Sequence, residues 1–127
     1  MFNNNQNVGK IGENLACEYL IKNRYKILFR NYRVKFDEID IIARSFDGVL
    51  VFVEVKTLKV SGASCLMPED NFTKDKFQKI NRACRIFAGS HKELINDERG
   101  WRIDLVAVTL GEKGECGITH YENVTKE

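Results

Sequence analysis

Asp40, Glu54 and Lys56 are the residues whose types and spacing suit hydrolytic chemistry. Glu54 and Lys56 close the most apolar run in the chain, Val49-Leu50-Val51-Phe52-Val53-Glu54-Val55-Lys56. Side chains alternate along a strand, so Leu50, Phe52, Glu54 and Lys56 share one face. In the preceding run, Glu38-Ile39-Asp40-Ile41-Ile42-Ala43, the same alternation groups Glu38, Asp40 and Ile42. The turn Arg44-Ser45-Phe46-Asp47-Gly48, with Asp47-Gly48 its strongest signal, folds one run onto the other. Asp40 then falls beside Phe52 and Glu54, directly or on the diagonal, at about 5–8 Å. Two carboxylates that close share a divalent cation or repel each other. Charges at the end of an apolar strand cost several kcal/mol unless paired or metal-bound. A Glu54–Lys56 pair accounts for them poorly, because side chains two apart on a strand stand side by side. A hard cation held by Asp40 and Glu54, with water completing its shell, accounts for them better. Mg²⁺ uses only one or two protein carboxylates. Lys56 would then orient or activate a water, or offset charge on a phosphate. The competing reading is an acidic strand end on a solvent face, since Glu-x-Lys alone is a weak motif.

These residues need a scaffold, and the periodicity supplies one. Gly9 to Asn23 reads as a helix with Ile11, Leu15, Ala16 and Tyr19 on its apolar stripe and Glu13 at the stripe's edge. Strands are expected at Lys26–Val34, Glu38–Ala43 and Val49–Lys56, the last covered on both faces. Residues 57–71 read as an irregular loop able to carry function. A second helix is expected over Phe72–Ala88, with Phe77, Ile80, Ala83, Cys84 and Phe87 buried and Gly89 ending it. Strands at Trp101–Leu110 and Ile118–Tyr121 complete a mixed β-sheet flanked by α-helices, an α/β fold. Residues 1–7 read as a short flexible leader and residues 8–127 as a single domain.

With 127 residues, 43% hydrophobic and 30% charged, the composition is that of a soluble globular protein with one sizeable core. It argues against long disorder and collagen-like or low-complexity classes. No run approaches the length that spans a bilayer, and the start lacks signal-peptide features, so a cytoplasmic location and no membrane partner are expected. Cys17, Cys65, Cys84 and Cys116 show no CxxC pairing and read as buried free thiols. His91 and His120 have no ligand spacing around them and read as ordinary surface or turn residues. The chain contains no P-loop, Rossmann fingerprint or Gly-x-Ser-x-Gly elbow.

Net charge is only +2, yet the cations cluster. Lys10, Lys22, Arg24, Lys26, Arg30, Arg33 and Lys35 face only Glu13 and Glu18 across residues 10–35. The second helix carries Lys74, Lys76, Lys79, Arg82 and Arg85 against Asp75. Two readings stay open: a surface for a phosphate backbone, or solvated faces and a charged edge strand that resists aggregation. Lys76 falls inside the packing face on a helical wheel, so it either snorkels or points into a site at the sheet's end. Tyr25, Tyr32 and Phe36 interleave with the basic segment and read as core or edge packing. Asp104, in Trp101-Arg102-Ile103-Asp104-Leu105-Val106, pairs with Arg102 or Arg99 or supports the sheet edge.

Several motifs occur in a fixed order: Gly9-Lys10-Ile11-Gly12-Glu13 with Ala16, Arg30-Asn31-Tyr32-Arg33, Glu38-Ile39-Asp40-Ile41-Ile42-Ala43, Val51-Phe52-Val53-Glu54-Val55-Lys56-Thr57, Lys76 through Ala83, and Arg102-Ile103-Asp104-Leu105-Val106. Together they resemble the YraN family of small bacterial proteins, which in turn looks like the archaeal Holliday-junction resolvases of the PD-(D/E)xK nuclease superfamily. The resemblance covers roughly residues 8–110 and implies a restriction-endonuclease-like sheet. It implies that Asp40 and Glu54 bind Mg²⁺ or Mn²⁺, that Glu13 assists through water, and that Lys56 stands beside the attacking water. Lys76 would contact phosphate, while Glu38 matches a glutamate of less defined role. Asp37 stands where glycine is usual and Leu58 where arginine commonly follows.

The function expected is metal-dependent endonucleolytic hydrolysis of DNA, with branched DNA as substrate by analogy. Glu13, Asp40, Glu54 and Lys56 would be catalytic, and Lys10, Arg30, Arg33, Lys76 and Lys79 would contact DNA. Resolvase-like action would want a two-fold dimer. The alternative is a non-catalytic nucleic-acid-binding or DNA-repair accessory protein on the same fold.

Overall fold

The computed structural model describes residues 5–60 and 73–124, with side chains from residue 8 onward. Two helices and five strands follow in the order α1 (Asn5–Lys22), β1 (Lys26–Val34), β2 (Asp37–Arg44), β3 (Leu50–Val60), α2 (Lys74–Ser90), β4 (Trp101–Gly111) and β5 (Cys116–Tyr121), with a 3-10 turn at Lys92–Leu94. The strands lie side by side in chain order in one sheet. Only β3 and β4, joined through α2, run parallel, so the sheet is mixed as expected.

Alternation along β3 builds two cores. Val51 and Val53 point toward α1 and pack with Ala16, Cys17, Leu20, Ile41, Ala43, Val106 and Val108. Leu50 and Phe52 point the other way and pack with α2 residues Ile80, Ala83, Cys84 and Phe87. Val51, Phe52 and Val53 are wholly buried, as a strand covered on both faces requires.

Gly12 permits the close seating of α1. A Cβ there would lie 1.7 Å from Thr57 Oγ1 and 2.8 Å from Thr57 Cβ, so only glycine lets the helix approach β3 at that point. The helix ends as its amides run out: the Asn23 and Tyr25 N–H groups return to the Tyr19 and Leu20 carbonyls, and Arg24 takes the left-handed conformation at φ 70°. Thr73 caps α2, its hydroxyl accepting the Lys76 N–H at 3.3 Å.

The structure moves several expected boundaries. α1 begins at Asn5, inside the stretch read as a leader. β3 continues to Val60, since β4 pairs with it throughout, so residues 57–60 are strand. The remainder of the expected loop, 61–72, lies outside the described residues and includes Cys65. α2 runs past Gly89 to Ser90, whose hydroxyl caps the Ile86 and Phe87 carbonyls. Cys17 and Cys84 are buried free thiols as expected, but Cys116 is exposed on the edge strand β5.

A carboxylate pair at the parting of two strands

The β2–β3 ladder runs from Arg44↔Leu50 to Ile41↔Val53 and stops there. One further step of that register would set Asp40 opposite Glu54. Instead the side chain of Asp40 replaces the main chain, and its Oδ2 accepts the Val55 N–H at 2.9 Å. The β1–β2 register, Arg30↔Ile41 and Tyr32↔Ile39, sets Asn31 opposite Asp40 on the other side. Asn31, Asp40 and Glu54 thus form a row across three strands.

The carboxyls of Asp40 and Glu54 are hydrogen-bonded to each other. Burial pushes the Glu54 carboxyl up from 4.5 to about 9, helped by the negative charges of Asp40 and Glu13 and opposed by Lys56. Burial also lifts Asp40 from 3.8 to about 6, against the hydrogen bonds from Val55 and Glu54 that hold it down. One proton is therefore shared where two ordinary carboxylates would both be ionised. A divalent cation could take that proton's place, and two close, half-buried oxygen-donor groups suit Mg²⁺ or Mn²⁺. Among the described residues no three His, Cys, Asp or Glu side chains are grouped closely enough to hold an ion by themselves. A cation here would draw the rest of its shell from water or from a phosphate oxygen.

Glu13 stands in the second layer of charge. Half-buried as expected of its position on the stripe's edge, it accepts a hydrogen bond from Asn31 Nδ2 at 2.9 Å and lies 4.0 Å from Arg30. The same Asn31 amide reaches Glu38 Oε1 at 3.4 Å. Glu13 and Lys56 line one cleft of about 420 Å³ together with Val8, Gly9, Val55 and Thr57. A cleft of about 530 Å³ at the β4–β5 turn shares no residue with this site.

The expected nucleic-acid contacts divide. Lys10, Arg33 and Lys79 are exposed. Arg30 is engaged, its Nη2 donating to Asn14 Oδ1 at 2.7 Å. Lys76 does not point into the packing face; it is exposed on the first turn of α2, and Ile80 begins the buried line. Ile80 and Ala83 flank it in projection, but residues 73–76 are all exposed, so the packed face of α2 starts a turn later. Asp37 accepts from Arg82 Nη2 at 3.0 Å, so the acid that replaces the usual glycine ties β2 to α2.

Four features lay beyond what the sequence implies. Asn31 is a bridge between two acids, at φ 50°. Burial pushes the Cys84 thiol up, and the nearby Glu54 carboxylate adds to the rise. His120 is no surface residue: its Nε2 lies 2.7 Å from Asp104 Oδ2 and its Nδ1 2.9 Å from the Tyr19 hydroxyl. With Nε2–H donating to the carboxylate, Nδ1 of the neutral ring accepts from Tyr19. Asp104, wholly buried, also binds Arg102 at 2.9 Å and the Asn123 N–H at 2.9 Å; Arg99 is not its partner. His91 stacks on Phe87 at 4.0 Å. A lone acid in an apolar strand was the one signal for the Asp104 network; nothing local signalled the stacking of His91.

Over residues 12–108 the chain matches the family described as Uncharacterised protein family UPF0102. Curated relatives, each named UPF0102 protein, include one from Pseudothermotoga lettingae, 41% identical over 115 residues that cover 91% of this chain and 95% of that protein. One from Dictyoglomus turgidum is 38% identical over 112 residues, 88% of this chain and 90% of that protein. One from Thermotoga maritima is 39% identical over 117 residues, 91% of this chain and 94% of that protein. Among solved structures, Pyrococcus furiosus SfsA in complex with Ca²⁺ is 16% identical, with a TM-score of 0.37 over 87% of this chain and 62% of that chain.

Proposed function

This chain belongs to uncharacterised protein family UPF0102, the YraN family its motifs resemble, and from the site it carries we propose that it is a divalent-metal-dependent endonuclease hydrolysing DNA phosphodiesters. The observation that carries this reading is the close approach of the half-buried Asp40 and Glu54 carboxyls at the parting of β2 and β3. Stability alone gives little reason for two acids there, since desolvation penalises both and Asp40 raises the proton affinity of Glu54. When bound, Mg²⁺ or Mn²⁺ would supply an activated water and charge neutralisation on phosphate.

The chain's own residues then have distinct work. Asp40 and Glu54 supply the cation's protein oxygens, with Asp40 held in place by the Val55 amide. Lys56, in the cleft with Glu13, is suited to hold a phosphate oxygen or to pass a proton to and from water. Glu13, tethered by Asn31, adds negative field and a second-layer acceptor for a cation's waters. Exposed Lys10, Arg33, Lys76 and Lys79 are available to backbone phosphates.

The test is nicking of labelled linear, single-stranded and four-way DNA with Mg²⁺ or Mn²⁺. Wild type should cut, and Asp40→Ala or Glu54→Ala should lower the rate about 100-fold or more. Preference for four-way DNA, with a two-fold dimer in solution, would extend the reading to branched substrates. Cutting that persists in both variants, or in EDTA, would defeat it. A second reading, a nucleic-acid-binding accessory protein without catalysis, is favoured by the hydrogen-bonded pair, which a shared proton can satisfy in place of a metal. Binding of DNA with no cleavage under either metal would select it.

A further inference from the structure

Phe36 is 96% exposed, the most exposed of the large apolar side chains among the described residues. It sits with Lys35 in the two-residue turn between β1 and β2, since Val34 and Asp37 are already paired. Sequence reasoning assigned Phe36 to packing, and the structure corrects this. A single exposed phenylalanine is by itself unremarkable, but this one is held out by its surroundings. Lys35 adopts φ 55°, a left-handed conformation that turns the chain sharply. Directly below the tip, Val34 and Ile39 are buried against α2 with Ile80. Asp37 is clamped to α2 by Arg82 at 3.0 Å. The apex is therefore a fixed projection that carries an aromatic ring.

Its chemistry is that of a nucleic-acid contact. Arg33 and Lys35 precede the ring and are exposed, Glu38 stands across the ladder from Arg33, and Lys79 lies one helical turn from Arg82 on the same side of α2. Phe46, in the turn at the other end of β2, makes the contrast: Arg24 lies over its ring at 3.7 Å, so that face is used within the molecule. Phe36 sits in the turn just before β2, four residues from Asp40, a span of about 13 Å if extended. One DNA strand advances about 3.4 Å per nucleotide. A base on Phe36 would thus lie about four nucleotides from a phosphate at Asp40.

We propose that the β1–β2 apex is a stacking wedge, in which Phe36 takes the face of an unpaired nucleobase while Arg33 and Lys35 hold the adjoining phosphates. Two exposed cations leading into one exposed aromatic ring, with Asp37 beyond it neutralised by Arg82, suit a base beside its phosphates better than an apolar protein surface. Apolar side chains that enter an opened base step use the same physics. The proposal rests on the nuclease reading for the strand's path past Asp40, and it names the substrate class of that site: DNA with bases out of the helical stack.

The experiment compares a fully paired duplex with the same duplex containing a short central bubble that carries 2-aminopurine. Binding is followed by anisotropy in the Asp40→Asn background, with Mg²⁺ at one low salt concentration, so that no strand is cut. The unmodified apex should bind the bubble more tightly than the duplex and quench the 2-aminopurine. Phe36→Ala should weaken bubble binding about 5-fold or more and abolish the quenching, leaving duplex binding unchanged. Phe36→Trp should restore both. Equal binding of bubble and duplex, insensitive to Phe36→Ala, overturns the wedge while leaving the nuclease reading intact. A loss of both duplex and bubble binding in Phe36→Ala also overturns it, as does a change of oligomeric state in that variant, which would assign the ring to a second copy of the chain. Absence of binding to either DNA overturns the wedge and the nuclease reading together.

Discussion

Asp40 accepts the Val55 main-chain N–H at 2.9 Å, one residue beyond the last main-chain pair of β2 and β3. The bond does two things. It satisfies an amide that the parting of the strands would otherwise leave bare. It also fixes the Asp40 carboxyl against Glu54, two residues from the lysine that shares Glu54's strand face. Local strand geometry and the acidic site are therefore one feature.

The first prediction concerns pH. In the folded chain Asp40 keeps its proton to about pH 6 and Glu54 to about pH 9, well above their ordinary values of 3.8 and 4.5. Between those limits the folded state holds more protons than the unfolded state, so stability falls as pH rises. In EDTA the urea midpoint should drop steadily from pH 5 to pH 9, Glu54→Gln should flatten the profile, and Mg²⁺ should restore wild-type stability at the alkaline end. A wild-type midpoint unchanged across that range would show that the two carboxyls are neither buried nor coupled.

The second concerns Asn31, which bridges Glu13 and Glu38. Its φ of 50° makes alanine a poor probe, because the backbone strain would be confounded with the lost amide. Asn31→Gly keeps the conformation and removes the bridge. Mn²⁺ affinity by calorimetry should fall about 10–100-fold, as for other outer partners of metal ligands. Unaltered affinity in a folded Asn31→Gly protein would reduce the residue to a turn former.

Gly12 and Thr57 provide a packing test. Gly12→Ala forces a methyl into Thr57 and should destabilise the chain by about 1–3 kcal/mol, the usual cost of overpacking. Removing the Thr57 hydroxyl as well should recover part of that loss, because the shortest clash is with Oγ1. Additive effects of Gly12→Ala and Thr57→Ala in chemical denaturation would place the strain elsewhere.

The Asp104 network gives a fourth expectation, of opposite sign to the first. Burial raises this carboxyl's proton affinity, but His120, Arg102 and the Asn123 amide together outweigh it and hold Asp104 below its ordinary 3.8. Its contribution to stability is complete above that value and is lost as pH falls below it. Asp104→Asn should cost about 3 kcal/mol at neutral pH, near the lower end for a broken buried pair because Arg102 stays 18% exposed and close to Glu122. It should also remove part of the acid-unfolding slope. A variant as stable as wild type would mean that the network is dispensable.

Much of this was legible in the chain itself. Helical stripes and strand alternation located both helices and all five strands, and the Asp47-Gly48 turn brought Asp40 and Glu54 together, because period and turn chemistry act over a few residues. The mixed five-stranded sheet followed from three hairpins and one helical crossover. Helix ends were less legible, since Ser90 rather than Gly89 satisfies the last carbonyls of α2.

What the sequence by itself determined is therefore the scaffold and the identity of its acids and lysine. Only the tertiary structure decided that Lys76 turns outward, that Phe36 stands clear of the core, that Asn31 joins Glu13 to Glu38, and that His120 completes the shell of Asp104 from 16 residues away. The physical reason is the range of the interactions. Backbone preference and hydrophobic period are set by near neighbours, whereas the partner of a buried charge and the exposure of a turn depend on which distant elements the fold brings against them.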